Sequence, residues 1–136
     1  MNFKRILFIC GILGVLAVGL GAFGAHGLKD LLPPEKLITY TTGITYHFYH
    51  TIGLLLVGIL IKINPSKWFS RSAICFIIGI MLFSGSLYLL ATRELIGLIN
   101  YRWLGPITPI GGVFFILGWL SLTIGSFNIN NKDAAN

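Results

Sequence analysis

Four stretches of this chain run for about the width of a bilayer without a charged side chain, and no other feature limits the fold so strongly. They cover about residues 6–25, 40–61, 73–92 and 107–126. A helix needs about 20 apolar residues, at roughly 1.5 Å each, to cross the hydrocarbon layer. Only 10% of the residues are charged and the mean hydropathy is +0.85. Soluble domains carry roughly 25% charged residues, so the apolar excess must face lipid. The expected fold is all-α: an integral-membrane four-helix bundle with short loops, one domain over residues 1–127, then a polar tail over 128–136.

The basic residues sit in the gaps between these runs. Lys4, Arg5, Lys62, Lys67, Arg71 and Lys132 fall on one side of a four-span topology, and Lys29, Lys36, Arg93 and Arg102 on the other. Six against four favours cytoplasmic N- and C-termini, the basic side facing the anionic inner leaflet of a bacterial inner (plasma) membrane. A net charge of +6 distributed this way belongs to topology and not to nucleic-acid binding, which needs basic residues clustered on a polar surface. The first run is longer than the roughly 7–15 residues of a signal-peptide core, so it is expected to stay as a span. Cys10 and Cys75 lie inside apolar runs and read as packing residues.

Helices in lipid associate through close packing and interhelical hydrogen bonds, because the surroundings are as apolar as the side chains. Small residues recur at suitable spacings: Ala17, Gly21 and Ala25 in the first run, Gly111, Gly118 and Gly125 in the fourth, and Gly79 with Ser86 in the third. All are expected to pack helix against helix. The string Gly19-Leu-Gly-Ala-Phe-Gly24 has the form G-x-G-x-x-G, but it ends a helical run instead of linking a strand to a helix, so it is a chance match. Pro33-Pro34 should start the second helix, with Glu35 in its first turn. Thr108 and Pro109 read as the cap and first position of the fourth, with Tyr101 and Trp103 at the membrane interface.

The second run carries the chemistry. At 100° per residue Thr39, Thr42, Gly43, Tyr46, Tyr49, His50 and Gly53 share one face, opposite Ile44, Phe48, Ile52, Leu55 and Ile59. A polar face on a spanning helix must turn toward other helices or enclosed water. His50 is eleven residues from Ile61, roughly 17 Å along the helix and near the midplane. On the third run Ser84, Tyr88 and Thr92 form a stripe reaching the same depth, so Ser84 and Tyr88 are expected to face Tyr46 and His50. His26 and Arg93 end their runs on the same side. The candidate polar site is therefore His26, Tyr46, His47, His50, Ser84, Tyr88 and Arg93.

Three roles fit such a cluster. It can fix helix register, it can pass a small solute, ion or proton, or it can hold a metal, haem or quinone. His47-x-x-His50 is a weak metal pattern, because no carboxylate lies within the spans to complete a typical ligand set. No metal or cofactor is expected. No acid stands within reach of Ser84 or Ser86 and nothing marks an oxyanion hole, so no catalytic residue is assigned and the chain is not expected to be an enzyme.

Four segments in order resemble one family. Gly21-Ala-Phe-Gly-Ala-His-Gly-Leu-Lys29, Tyr46-His-Phe-Tyr-His50, Phe83-Ser-Gly-Ser-Leu-Tyr-Leu89 and Leu104-Gly-Pro-Ile-Thr-Pro-Ile-Gly-Gly112 are similar to the domain-of-unknown-function 423 family, over about residues 10 to 125. That family includes small bacterial inner-membrane proteins and the animal transmembrane protein 256. The resemblance implies four membrane helices and gives weight to His26, His47, His50, Ser84, Ser86, Tyr88, Pro106 and Pro109. The chain departs from the family at Tyr40 and Thr45, where members often carry Trp and Gln. The expected role is a structural or accessory protein, with the bilayer around it and a membrane-protein partner or a second copy beside it. The alternatives are a small transporter or a metal, haem or quinone protein.

Overall fold

The computed structural model describes residues 1–98, 102–127 and 129. It contains α1 (Phe3–His26), α2 (Pro34–Ile63), α3 (Lys67–Gly79), a π-helical turn (Ile80–Ser84), α4 (Gly85–Thr92) and α5 (Leu104–Ser126). The segment from α3 through the π-helical turn to α4 is one rod, Lys67–Thr92, so four helices are long and apolar enough to cross a membrane. Tyr101 and most of the polar tail, Lys132 included, lie outside the described residues.

Local chemistry explains the helix starts. The Asn2 side chain accepts a hydrogen bond from the Arg5 amide at 3.0 Å, capping α1. Pro34 opens α2, where a missing N–H costs nothing, and Glu35 sits in the first turn. The Ser66 hydroxyl accepts from the Trp68 amide at 3.2 Å and caps α3 two turns before the charge-free run begins. α5 differs from expectation: it begins at Leu104, so Pro109 lies inside the helix and Thr108 does not cap it. The early start is tolerated because Pro106 falls in the first turn, where amides have no helical partner.

The helices meet in a defined order. α1 lies on α2, α2 lies on the third rod, and α5 lies on α3 and the π-helical turn. The main core gathers Ile6, Leu54, Val57, Phe69, Phe76 and Phe115. A smaller one at the end opposite the N-terminus joins Leu28, Leu32, Tyr40 and Ala91.

The tightest seam is between α5 and the third rod. Gly111, Gly118 and Gly125 on α5 meet Phe83, Phe76 and Phe69, two series that each step by seven residues. A Cβ on Gly118 or Gly125 would come within 2.5 Å of a ring carbon of Phe76 or Phe69, and one on Gly111 would strike the Phe83 backbone. Gly79 gives space in the reverse direction, to the Phe115 ring. The small-residue series on α1 is only partly used. Ala17 is buried and Gly21 makes ordinary contact with Ile44, but Ala25 is exposed, and Gly24 is the residue that receives the Tyr40 ring. Ala25 is displaced from the contact because the α1 buried face follows Ile6, Cys10, Ala17 and Gly24, close to a seven-residue repeat.

Candidate functional site

α2 is the axis of the polar layer, but its buried face is not the one expected. Tyr40, Gly43, His47, His50, Leu54 and Val57 point inward, while Tyr49 is 64% and Tyr46 40% exposed. The cause lies in the threonines. Thr39 and Thr42, which the expected face included, each donate to the carbonyl four residues back, at 3.0 and 2.9 Å, and so are satisfied without help from another helix. They can face outward, which leaves the interior to the tyrosine and histidines that need distant partners.

His47 and His50 turn to different neighbours. His47 Nδ1 shares a hydrogen bond of 3.1 Å with the Tyr88 hydroxyl on α4. The Tyr88 ring lies 5.1 Å from that of Tyr40, in space left by Gly43. The Tyr40 hydroxyl in turn donates to the Leu20 carbonyl of α1 at 3.1 Å. Below His47, the Thr51 hydroxyl donates to its carbonyl at 2.8 Å, and Cys10 of α1 donates to the Thr51 carbonyl at 3.8 Å. His47 Nε2 turns to the Leu13 backbone without reaching hydrogen-bond geometry.

His50 faces α5. Its Nδ1 lies 2.7 Å from the Tyr46 carbonyl, and the Trp119 indole donates to its Nε2 at 3.3 Å. A carbonyl can only accept and an indole N–H can only donate, so these partners fix the neutral imidazole with its proton on Nδ1. The ring stacks face to face on Phe115, with centroids 3.5 Å apart and planes 10° from parallel, and meets Phe76 edge-on at 5.5 Å.

The remaining candidates divide. Tyr88 faces His47 instead of His50 or Tyr46. Tyr46 lies on the flank of α2, its ring 4.6 Å from Phe83 and 6.2 Å from Phe115. Ser84 is fully buried in the π-helical turn, and its hydroxyl has no partner. Ser86, two residues on, donates to the Phe83 carbonyl at 2.9 Å and meets the Thr108 hydroxyl of α5 at 2.7 Å. His26 is exposed at the end of α1 and is not drawn into the cluster. Arg93 stands in a separate ionic group with Glu94, 3.6 Å away, and Lys36. Hydrogen bonding and the charge of Lys36 hold the Glu94 carboxyl below its ordinary value.

Trp119, Phe115, Thr108 and Tyr40 complete the layer and were not among the expected site residues. A signal for the first two was present: they flank the seven-residue glycine series, whose narrow face had to be the buried one. The resulting geometry ties the helices to one another. His47 with Tyr88 ties α2 to α4, His50 with Trp119 ties α2 to α5, Ser86 with Thr108 ties α4 to α5, and Tyr40 with Leu20 ties α2 to α1. The two histidines do not converge on one point. His50 has both nitrogens engaged, so a metal there would have to displace the indole. Among the described residues, no three ligand-type side chains gather in one place.

Fold and polar layer together define a four-span, all-α membrane protein in which four side-chain hydrogen bonds tie helix to helix. The chain belongs to the family described as "Protein of unknown function (DUF423)", whose model matches residues 20–112. It is 44% identical over 131 residues to a UPF0382 membrane protein of Staphylococcus saprophyticus, covering 92% of this chain and 99% of that one. It is 40% identical over 124 residues to the UPF0382 membrane protein YwdK of Bacillus subtilis, covering 90% and 96%. The UPF0382 inner membrane protein YgdD of Escherichia coli is 34% identical over 132 residues, covering 97% and 96%. No solved structure matches the chain.

Proposed function

We propose that this chain is a structural or accessory protein of the bacterial inner membrane, with cytoplasmic termini, packing against a larger membrane complex or a second copy of itself. One observation carries the reading: the outward face of α1. Gly11, Val15 and Gly19 recur there at steps of four and are exposed, and a Cβ on either glycine would meet nothing within 4 Å. The small residues of that face are Gly11 and Gly19, with Val15 between them, and small residues let helix backbones approach closely in lipid. The glycines of α5 are already covered by phenylalanine rings, whereas these are open. The polar layer supports the reading by fixing helix register, and no reaction is assigned to it.

The test is association in native membranes. Cross-linking followed by purification should trap the wild-type chain with a defined partner or with itself. Gly11→Leu with Gly19→Leu should abolish the adduct while leaving the folded yield unchanged, since among the described residues nothing lies within 4 Å of a Cβ at either position. A wild-type protein that is monomeric and partnerless after cross-linking sinks the proposal.

A second reading, a small-solute, ion or proton transporter, draws on the buried His47 Nε2 and Ser84 hydroxyl, which lack hydrogen-bond partners. Buried polar atoms without partners are uncommon and call for an explanation. Flux through wild-type proteoliposomes, lost in His47→Ala, would favour it over the first.

A further inference from the structure

Two helices begin side by side at the N-terminal end of the molecule, and both begin against their own dipole. Lys4 and Arg5 stand in the first turn of α1, Lys67 opens α3 and Arg71 follows one turn later, and neither helix has an acid in its first turn. A helix N-terminus carries partial positive charge and favours anions, so cations placed there are mutually unfavourable. Lys62, at the end of α2, adds a fifth positive charge.

Among the described residues no acid faces these charges. Of the four acidic residues, Asp30, Glu35 and Glu94 belong to the opposite end, and Asp133 lies outside the described residues. Two of the cations rest on aromatic rings instead. Lys62 lies 5.2 Å over the Phe3 ring and the Arg71 guanidinium 4.6 Å over that of Trp68.

The same end carries two cavities that meet at Met1. One, of about 470 Å³, is lined by Ser66, Lys67, Ser70 and Arg71, with Ile61 and Pro65 as its apolar floor. The other, of about 350 Å³, is lined by Lys4 and Arg5, with Phe8 and Ile9 running from it along α1. Both are lined by cations, and the second adds the exposed Phe8 ring on the outer surface of α1.

We infer that this end of the molecule is a headgroup site for an anionic diacyl phospholipid. Its phosphodiester would sit among Lys67, Arg71, the Ser66 hydroxyl and the Ser70 hydroxyl, which accepts from the Met1 ammonium at 3.3 Å, and the α1 pocket would take an acyl chain. Charge and shape argue together. Phosphate oxygens would accept hydrogen bonds from the ammonium, guanidinium and hydroxyl groups and relieve the repulsion among cations at two positive helix ends. The Phe8–Ile9 wall takes hydrocarbon, which a free anion lacks. Basic pockets between membrane helices are a recurrent way to hold such lipids.

The probes are phosphatidylglycerol, zwitterionic phosphatidylcholine and inorganic phosphate, each added to protein purified in neutral detergent. Binding is followed by native mass spectrometry and by the thermal midpoint. Phosphatidylglycerol should remain bound and raise the midpoint, with an affinity about thirtyfold lower in Lys67→Gln with Arg71→Gln. Lys29→Gln with Arg102→Gln, at the opposite end, should bind as wild type. Lys67→Arg with Arg71→Lys keeps the charge and should keep the lipid, which separates loss of the site from loss of the fold. Equal retention of phosphatidylcholine, an equal shift from inorganic phosphate alone, or an equal loss in the opposite-end pair overturns the inference.

Discussion

α1 and α5 are the two outermost helices, both rich in glycine and both apolar, yet they use glycine in opposite ways. On α5 the glycines at 111, 118 and 125 turn inward, each beneath a phenylalanine of the third rod. On α1, Gly11 and Gly19 turn outward with nothing against them, and only Gly24 receives a ring, that of Tyr40. One helix consumes its narrow face in holding the chain together, whereas the other leaves most of its narrow face free. Glycine content therefore does not show whether a surface is spoken for. What decides it is whether a matching series of large residues exists elsewhere in the chain, and Phe69, Phe76 and Phe83 provide one for α5 alone.

The comparison is broken most directly at its tightest point. Gly111→Leu should be the most damaging single change, because the side chain would strike backbone, which cannot swing aside. Destabilisation at or above the upper end of the roughly 1–3 kcal/mol typical of overpacking is expected, read as a collapse in folded yield and thermal midpoint in detergent. Gly118→Ala, against a ring that can shift, should cost about 1–2 kcal/mol on the same measurement.

A smaller effect is expected where the seam carries a hydrogen bond. Trp119→Phe removes the indole donor to His50 but keeps an aromatic ring, and should lower stability by roughly 0.6–1.7 kcal/mol, from the average to the maximum for such bonds inside membranes. A midpoint equal to wild type would mean that the aromatic stack on Phe115, and not the hydrogen bond, holds His50. On α1 the sign should change: Gly11→Ala should leave the midpoint level or raise it by up to about 1 kcal/mol through helix propensity. A marked loss there would show that α1's open face has a role within the chain after all.

The least effect belongs to the Lys36–Glu94 pair, outside both glycine surfaces. Its folded-state carboxyl value lies below the unfolded one. The pair therefore contributes above the ordinary carboxyl value, about pH 4.3, and its contribution is lost as pH falls through the lowered one. A slight fall in midpoint on acidification through that window, absent in Lys36→Gln, is the expected result.

Four membrane helices were legible from charge-free length alone, and the inward series on α5 from its spacing. The polar layer was read less well, for reasons that particular residues make plain. Counting threonine as a group in need of shelter turned the expected face of α2 by roughly a fifth of a turn, toward Tyr46 and Tyr49. Thr39 and Thr42 bond their own helix and need none. Pro109 suggested a helix start where the helix had already begun. The π-helical turn leaves no pattern in a single sequence; it stands where Gly111 closely approaches the backbone at Phe83, a contact made by residues far apart in the chain.

That turn has a consequence for how the third rod is phased. By widening one turn to take an extra residue, it makes Ile80–Ser84 a gear change between two halves of a single rod. The half before it presents Phe69 and Phe76 to α5, and the half after it presents Tyr88 to α2. Delete one residue within it and the far half would swing by about 100°, carrying Tyr88 away from His47 while leaving the phenylalanines in mesh.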